Sequence, residues 1–451
     1  MKRGDLIEVE VIGIDQKGDG IGRLRENDND IVVRRGLPGD RIEGKVVKKR
    51  RGRIELEIVQ IISCKIQRIE SQCTHFGFCG GCRWQDVSYE DQLSLKESLV
   101  QTALKSKNLS PQKIEPILPS LDVFYYRNKM EFSFGSDRDG ILQLGLHVRG
   151  RYNRIFDVEK CYLQSPESNR LIAAFRAGAK LYELKPYNLR THEGLLRFLV
   201  VREAKPRRQL MINLVVAEYP NLLIDSLMSY VCERVPQLSE IVVSRHTGKA
   251  QVAIGEASFV LLGNGYIEES CGENKLKISP NSFYQTNSRQ AERLYAIVRN
   301  WVGNNVGNVL DLYSGTGSIA LYLASCAKEL IGVEVIEDAT VDAVWNAEEN
   351  AIRNCKFISA PVEDFLKNLD DFNFDLVIID PPRPGVHPKV LGRLGEIRPP
   401  RILYVSCNIK TLVEDLEVMV GFGYEIKRLQ PVDMFPHTPH CELVCELKKL
   451  D

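Results

Sequence analysis

Between Asp5 and Ile62, apolar and polar residues alternate in the short runs LIEVEVIGI, DIVVR, RIEGKVV and RIELEIVQII, punctuated by KGDGIG and GLPGD. A period of two broken by glycine and proline predicts strands, and so many short ones predict a small OB-like β-barrel over 1–62. The glycines of GDGIGR precede no helical pattern and are read as a turn. Residues 63–270 open with four cysteines and a helical stretch over about 85–115, YEDQLSLKESLVQTALKSKN, suited to packing on the domain that follows. The alternation then returns. KMEFSFGS, LQLGLHVRG, LRFLVVREA, QLMINLVVAE, EIVVSRH and AQVAIG predict a central, mostly antiparallel sheet. From 271 to 451 the strands become continuous apolar runs, NVLDLY, ELIGVEV, FDLVIID and RILYVS, with helical segments between them. This is the pattern of βαβ units in a doubly wound parallel sheet, closed by an edge hairpin from YEIKRLQPVDMF and CELVCELKKL.

Composition narrows the function. The 451 residues are 44% hydrophobic, and 60 Lys+Arg balance 60 Asp+Glu, so a polyanion would be met by local clusters and not by a general positive field. Such clusters exist. KKRRGR (Lys48–Arg53) lies on the barrel, and FYYRNKMEFSF and HVRGRYNRIF interleave cations with aromatics on the central strands. Aromatics stack unpaired bases while Arg and Lys hold phosphates, which makes Tyr126–Lys129 and Arg149–Arg154 candidates for looped RNA. No apolar stretch follows the charged MKRGDL start and none reaches about 18 residues, so a soluble, cytoplasmic protein without membrane or obligate protein partner is expected. Twelve cysteines in such a chain are reduced thiols, metal ligands or nucleophiles before they are disulfides.

Three patterns carry chemistry. DLYSGTGSIA places Gly315 and Gly317 between a strand and a helix, and Glu334 ends the next strand, where a carboxylate can accept from ribose hydroxyls. Nicotinamide dinucleotide and S-adenosyl-L-methionine both fit that loop. The fourth strand, however, ends in DPPRPG and the fifth in Cys407, which hydride transfer does not need. Finally, Cys73-x5-Cys79-x2-Cys82, joined by Cys161, is a metal-ligand pattern whose spacing leaves zinc and iron-sulfur both open.

Together, SFYQTN (Ser282–Asn287), DLYSGTG, DPPRPG, VSCN and PHTPHCE (Pro436–Glu442) resemble, in order and separation, the RNA uracil-C5 methyltransferases, the family of the iron-sulfur 23S rRNA enzymes and the tRNA T-loop enzyme. The resemblance covers the whole chain, and the barrel is similar to the TRAM domain of the rRNA members. It implies a Rossmann-like S-adenosylmethionine methyltransferase domain at the C-terminus, with the cofactor held by Gln285, Tyr313, Glu334 and Asp380. It further implies Cys407 as nucleophile, Glu442 as base, and a [4Fe-4S] cluster on Cys73, Cys79, Cys82 and Cys161. The expected substrate is a single-stranded or looped uridine in 23S rRNA, flipped from its stack. Ser318 and Pro361 depart from the family, which often carries asparagine and an acidic residue there. Four other readings stand beside this one: a tRNA uracil-C5 methyltransferase, an RNA cytosine-C5 methyltransferase, a nicotinamide-dependent iron-sulfur oxidoreductase and a non-catalytic RNA-binding module.

Overall fold

A computed structural model describes residues 2–24, 27–50, 52–369 and 373–450. The first five strands, Leu6–Ile14, Gly20–Leu24, Asn27–Arg34, Arg41–Arg50 and Arg53–Ser63, close into a barrel in which the fifth pairs with both the third and the fourth. Its inward positions, Val9, Val11, Ile31, Val33, Ile42 and Leu56 among them, are buried as the alternation requires. GDGIGR is less of a turn than its glycines suggest. Gly20 and Gly22 lie inside a strand, where a Cβ on Gly20 would come within 2.7 Å of Val11 Cγ1 and one on Gly22 would collide with Val9. In the basic run, Lys48 is paired with Glu55 at 2.9 Å and Arg53 with Asp15 at 3.5 Å, so part of its charge is spent within the barrel. Arg51 of that run lies outside the described residues.

The central sheet has seven strands, in the order Ala257–Leu262, Leu238–Arg245, Gln209–Val216, Leu196–Ala204, Lys129–Ser136, Leu142–Val148, Arg151–Asp157. All neighbours are antiparallel except Gln209–Val216 with Leu238–Arg245, which the helix Leu222–Arg234 connects as a crossover. AQVAIG is not a strand. The buried Arg197 guanidinium takes the carbonyls of His246, Gly248 and Ala250 at 2.7 to 2.8 Å, which bends that segment into a loop and leaves strand pairing to ASFVLL.

The C-terminal sheet runs Cys355–Ser359, Ala327–Glu334, Val306–Leu312, Leu376–Ile379, Arg401–Ser406, Glu442–Lys449, Tyr424–Val432, Lys113–Ile114. The first five strands are parallel, as the continuous apolar runs predict. The closing hairpin departs from expectation. Its last strand is inserted between Arg401–Ser406 and Tyr424–Val432, and the outer edge belongs to Lys113–Ile114, which arrives from the first half of the chain. ELVCEL is buried at every position, the burial of an interior strand.

The helix Tyr89–Ser106, capped by the Ser88 hydroxyl, packs Leu95, Leu99 and Leu104 into the same core as Leu412 and Leu416 of helix Ile409–Gly421. Its Lys96 is wholly buried and ion-paired with the equally buried Asp433, and its ammonium also donates to the Phe435 carbonyl at 3.0 Å. Breaking one side of such a pair strands the other charge in a dry interior. Lys96→Met is therefore expected to lose about 3–5 kcal/mol of stability in a denaturant titration, with much of it recovered in Lys96→Met/Asp433→Leu.

Candidate active site

Strand register brings the sequence candidates together. Leu312 lies beside Val333 on one side and Ile379 on the other, and Ile379 beside Tyr404, so Tyr313, Glu334 and Asp380 leave the sheet at the same C-terminal edge. On the far side, Ser406 pairs antiparallel with Leu443. One step further puts Cys407 across from Glu442, although 34 residues of helix, strand and loop separate them in the chain.

The cofactor side is shaped by its backbone. Tyr313 adopts φ 64°, a left-handed conformation that turns the chain sharply out of the strand, and Gly315 and Gly317 follow at φ 55° and 77°. A Cβ on Gly315 would meet nothing within 4 Å, whereas one on Gly317 would press on the Phe357 ring at 2.7 Å. The first glycine thus faces open space and the second permits close packing, the division of labour expected where a ligand lies on the loop. The Glu334 carboxylate accepts from the Gly315 and Ile336 amides at 3.0 and 2.9 Å and is fixed at that edge. Gln285 is buried in the loop before helix Ser288–Val302, and Asn128 Nδ2 donates to its carbonyl at 2.9 Å. Ser318, where the family often has asparagine, bonds the Tyr295 hydroxyl at 3.1 Å.

At Cys407 the electrostatics are those of a partly dry pocket. Burial, with Glu442 and Asp380 adding to it, pushes the Cys407 thiol up to about 12, and Arg383 opposes the shift. Burial and the neighbouring Asp380 raise Glu442 to about 8, again against Arg383, and loss of solvent raises Asp380 to about 7. Glu442 is 1% exposed and its Oε2 has no hydrogen-bond partner among the described residues. The thiol is only partly buried and opens on a cavity of about 240 Å³ with Arg383, Asn408 and His440 on its wall. Arg383 lies inside the quoted DPPRPG motif, yet sequence reasoning passed it over; its charge beside a predicted nucleophile was the available signal.

His437 shapes the turn before Glu442. At φ 66°, its carbonyl accepts from the Arg83 and Trp84 amides, its own amide donates to Gln92 Oε1 at 2.7 Å, and Phe124 stacks on the ring at 4.4 Å. Burial lowers its imidazole to about 4, leaving it neutral at pH 7.

Cys73, Cys79, Cys82 and Cys161 all line one cavity of about 490 Å³. Burial lifts Cys79 to about 11 and Cys82 to about 12, and Cys161 and Cys73 add their charge to both shifts. Among the described residues no group of three or more His, Cys, Asp or Glu is placed to hold a metal ion. Of the two RNA stretches, Tyr126–Lys129 is withdrawn. Tyr126 is 3% exposed with its hydroxyl donated to the Pro436 carbonyl at 3.2 Å, Asn128 is buried, and Lys129 pairs with Glu131 at 2.8 Å. Only Lys129 of the four lies in a strand; the rest form the irregular approach to it, packed against the Pro436 and Gln285 loops. Arg149 is tied to Asp19 of the barrel, while Arg151 and Arg154 line a groove of about 770 Å³ between barrel and central sheet, together with Arg34, Arg35 and Arg68.

The family description tRNA (uracil-5-)-methyltransferase matches residues 253–450. An uncharacterized RNA methyltransferase of Caldanaerobacter subterraneus subsp. tengcongensis is 38% identical over 455 positions, spanning 100% of both chains. Another, of Chlorobaculum tepidum, is 36% identical over 98% of this chain and 96% of its own. Among solved structures, the tRNA (uracil-54, C5)-methyltransferase of Pyrococcus abyssi in complex with S-adenosyl-L-homocysteine superposes with a TM-score of 0.76 at 30% identity, over 97% of this chain and 99% of that one. Fold and site thus define an S-adenosylmethionine-dependent methyltransferase. More narrowly, the chain belongs to the RNA uracil-C5 methyltransferase family. No helix among the described residues is long and apolar enough to cross a membrane.

The Glu442 shift has a sign that can be tested. The folded protein keeps this proton up to about pH 8, whereas the unfolded chain releases it near 4.5. Folding therefore takes up a proton in that window, and stability falls as pH climbs through it. Glu442→Gln keeps the shape and removes the titration, so its melting temperature should gain on the parent progressively from about pH 4.5 to about pH 8 and level off above that.

Proposed function

We propose that this protein transfers a methyl group from S-adenosylmethionine to C5 of a uridine in 23S rRNA through a transient bond between Cys407 and C6. The observation that carries this reading is a thiol opening on a cavity, opposite a buried carboxyl whose free oxygen has no partner among the described residues.

C5 of uracil is a poor nucleophile. Attack by the Cys407 sulfur forms an S–C6 bond and moves the C5–C6 π pair into an enolate, which makes C5 electron-rich. Bound S-adenosylmethionine would supply an electrophilic methyl on a sulfonium; C5 gives that pair to the methyl carbon, and the S–CH3 bonding pair leaves with the sulfur as S-adenosylhomocysteine. Glu442 then takes the C5 proton, the π bond re-forms, and the S–C6 bond breaks to return the thiolate. Arg383 favours that thiolate against the opposing charges of Glu442 and Asp380, and Glu442 must enter the last step as the carboxylate to accept the C5 proton. Tyr313, Glu334, Asp380 and Gln285 are the residues that would hold the cofactor. The open space at Gly315 and the fixed Glu334 carboxylate suit it.

The four cysteines would hold a [4Fe-4S] cluster. All four line one cavity of about 490 Å³, and it is the resemblance to the iron-sulfur members of the family that favours a polynuclear centre there over zinc. Methyl transfer requires no electron, so the centre would be structural, bracing the loop whose Arg83 and Trp84 amides hold His437. The barrel would serve as a TRAM domain that holds RNA, and the site of action would be the cytoplasm.

A second reading, tRNA as substrate, is favoured by the Pyrococcus abyssi enzyme, which spans 97% of this chain and so does not leave the barrel as a mark of rRNA. Methylation of 23S rRNA and tRNA transcripts measured side by side decides between them.

RNA containing 5-fluorouridine tests the chemistry, because fluorine cannot leave as a cation. A denaturant-stable protein–RNA adduct should form only with S-adenosylmethionine and vanish in Cys407→Ala. Glu442→Gln should accumulate an adduct on ordinary RNA. Protein purified without oxygen is expected to carry iron and acid-labile sulfide in equal amounts and to lose both in Cys79→Ser; zinc in their place would overturn the cluster assignment.

A further inference from the structure

The cavity over Cys407 is not built by the C-terminal domain alone. Gln16 and Lys17, at the tip of the turn between the first two barrel strands, form part of its wall. That turn is held from three directions. Asp15 accepts from the Lys17 and Asp19 amides at 2.9 and 3.0 Å and fixes its internal shape. Asp19 in turn accepts from the Arg35 amide at 3.0 Å and from the Arg149 guanidinium at 2.5 Å, which ties it to the central sheet. Gly18 sits where a side chain has no room: at φ 76°, its Cβ would meet Trp84 Nε1 at 3.1 Å and Pro439 at 3.2 Å, and its carbonyl accepts from that indole at 3.2 Å. Pro439 belongs to the loop that leads to Glu442. The tip is thereby seated against the loop carrying the proposed base, with the exposed Lys17 at the mouth of the pocket.

The chemistry of the walls says what the pocket takes. Leu99, Ile409 and Pro439 give it apolar faces, Cys407 its reactive atom, and Lys17 and Arg383 two cations from opposite domains. Among the described residues, none of the side chains on that wall is a carboxylate. A flat ring between apolar faces with an anion at a cationic rim describes one nucleotide: the base inside, the phosphate outside. We propose that Lys17 is a positioning residue for the target nucleotide, binding a backbone phosphate beside the flipped uridine. The barrel then acts inside the catalytic pocket as well as holding RNA at a distance. This assignment rests on the methyl-transfer reading above.

The test uses the full-length protein and a uridine-containing RNA that the wild type methylates. Lys17→Ala should raise the KM for RNA about tenfold and lower by about one the slope of log affinity against log salt, as expected when one phosphate contact is lost. Lys17→Glu should go further, and Lys17→Arg should restore both quantities. S-adenosylmethionine affinity by calorimetry controls for folding. If wild type forms the fluorouridine adduct while Lys17→Ala keeps its KM and its salt slope, the assignment fails and the chemistry stands. A fall in kcat at unchanged KM and slope would likewise overturn the phosphate contact. If wild type forms no adduct with any RNA, the methyl-transfer reading fails first.

Discussion

Everything in the catalytic half depends on one strand pairing: Arg401–Ser406 against Glu442–Lys449, with Ser406 opposite Leu443. A slip of one residue would turn each side chain of the last strand to the other face. That register is protected by burial on both sides, since Leu443, Val444, Cys445 and Leu447 are each 1% exposed or less. The sulfur and the carboxyl meet because hydrophobic packing has fixed a backbone ladder one step away from them.

The same burial sets the chemistry. A thiol and two carboxyls crowded into a poorly solvated corner all resist ionisation, and Arg383 is the group that relieves the thiol and Glu442. In water Glu442 would be charged and hydrated at neutral pH. Here its proton comes off near the working pH, where a base is most useful. The loop leading to it is clamped from several sides: Lys96 on Asp433, Gln92 and the Arg83 and Trp84 amides on His437, and Gly18 of the barrel beside Pro439. Three regions of the chain therefore converge on seven residues, Asp433–Pro439, and their placement is a property of the whole molecule.

Much of this was legible in the sequence, for identifiable reasons. Parallel strands buried on both faces are continuous apolar runs, so the C-terminal sheet declared itself, and Cys407 and Glu442 stood in motifs at its strand ends. What failed was information that lies between segments. AQVAIG alternates like a strand, yet Arg197 claims three carbonyls around it. Tyr126–Lys129 has the composition of an RNA-binding stretch, but its tyrosine hydroxyl and asparagine are consumed by Pro436 and by the Gln285 loop. Nothing local marks Lys17 as a neighbour of Cys407, because 389 residues separate them and only the seating of the barrel brings them together. The sheet order at the C-terminus was hidden for a similar reason, since period-two patterning fixes which face a strand buries and not which strand lies beside it.

The short strand Lys113–Ile114 gives the sheet its outer margin by lying parallel to Tyr424–Val432, with the Gln112, Glu115 and Leu118 amides extending the contact. A chain emerging from the ribosome makes this selvage more than 300 residues before the strand it will border. Until then it has no partner, and a C-terminal half produced by itself would expose an unpaired ladder that invites self-association. Separately expressed halves would thus be hazardous, and the two ends of the polypeptide are obliged to mature as one.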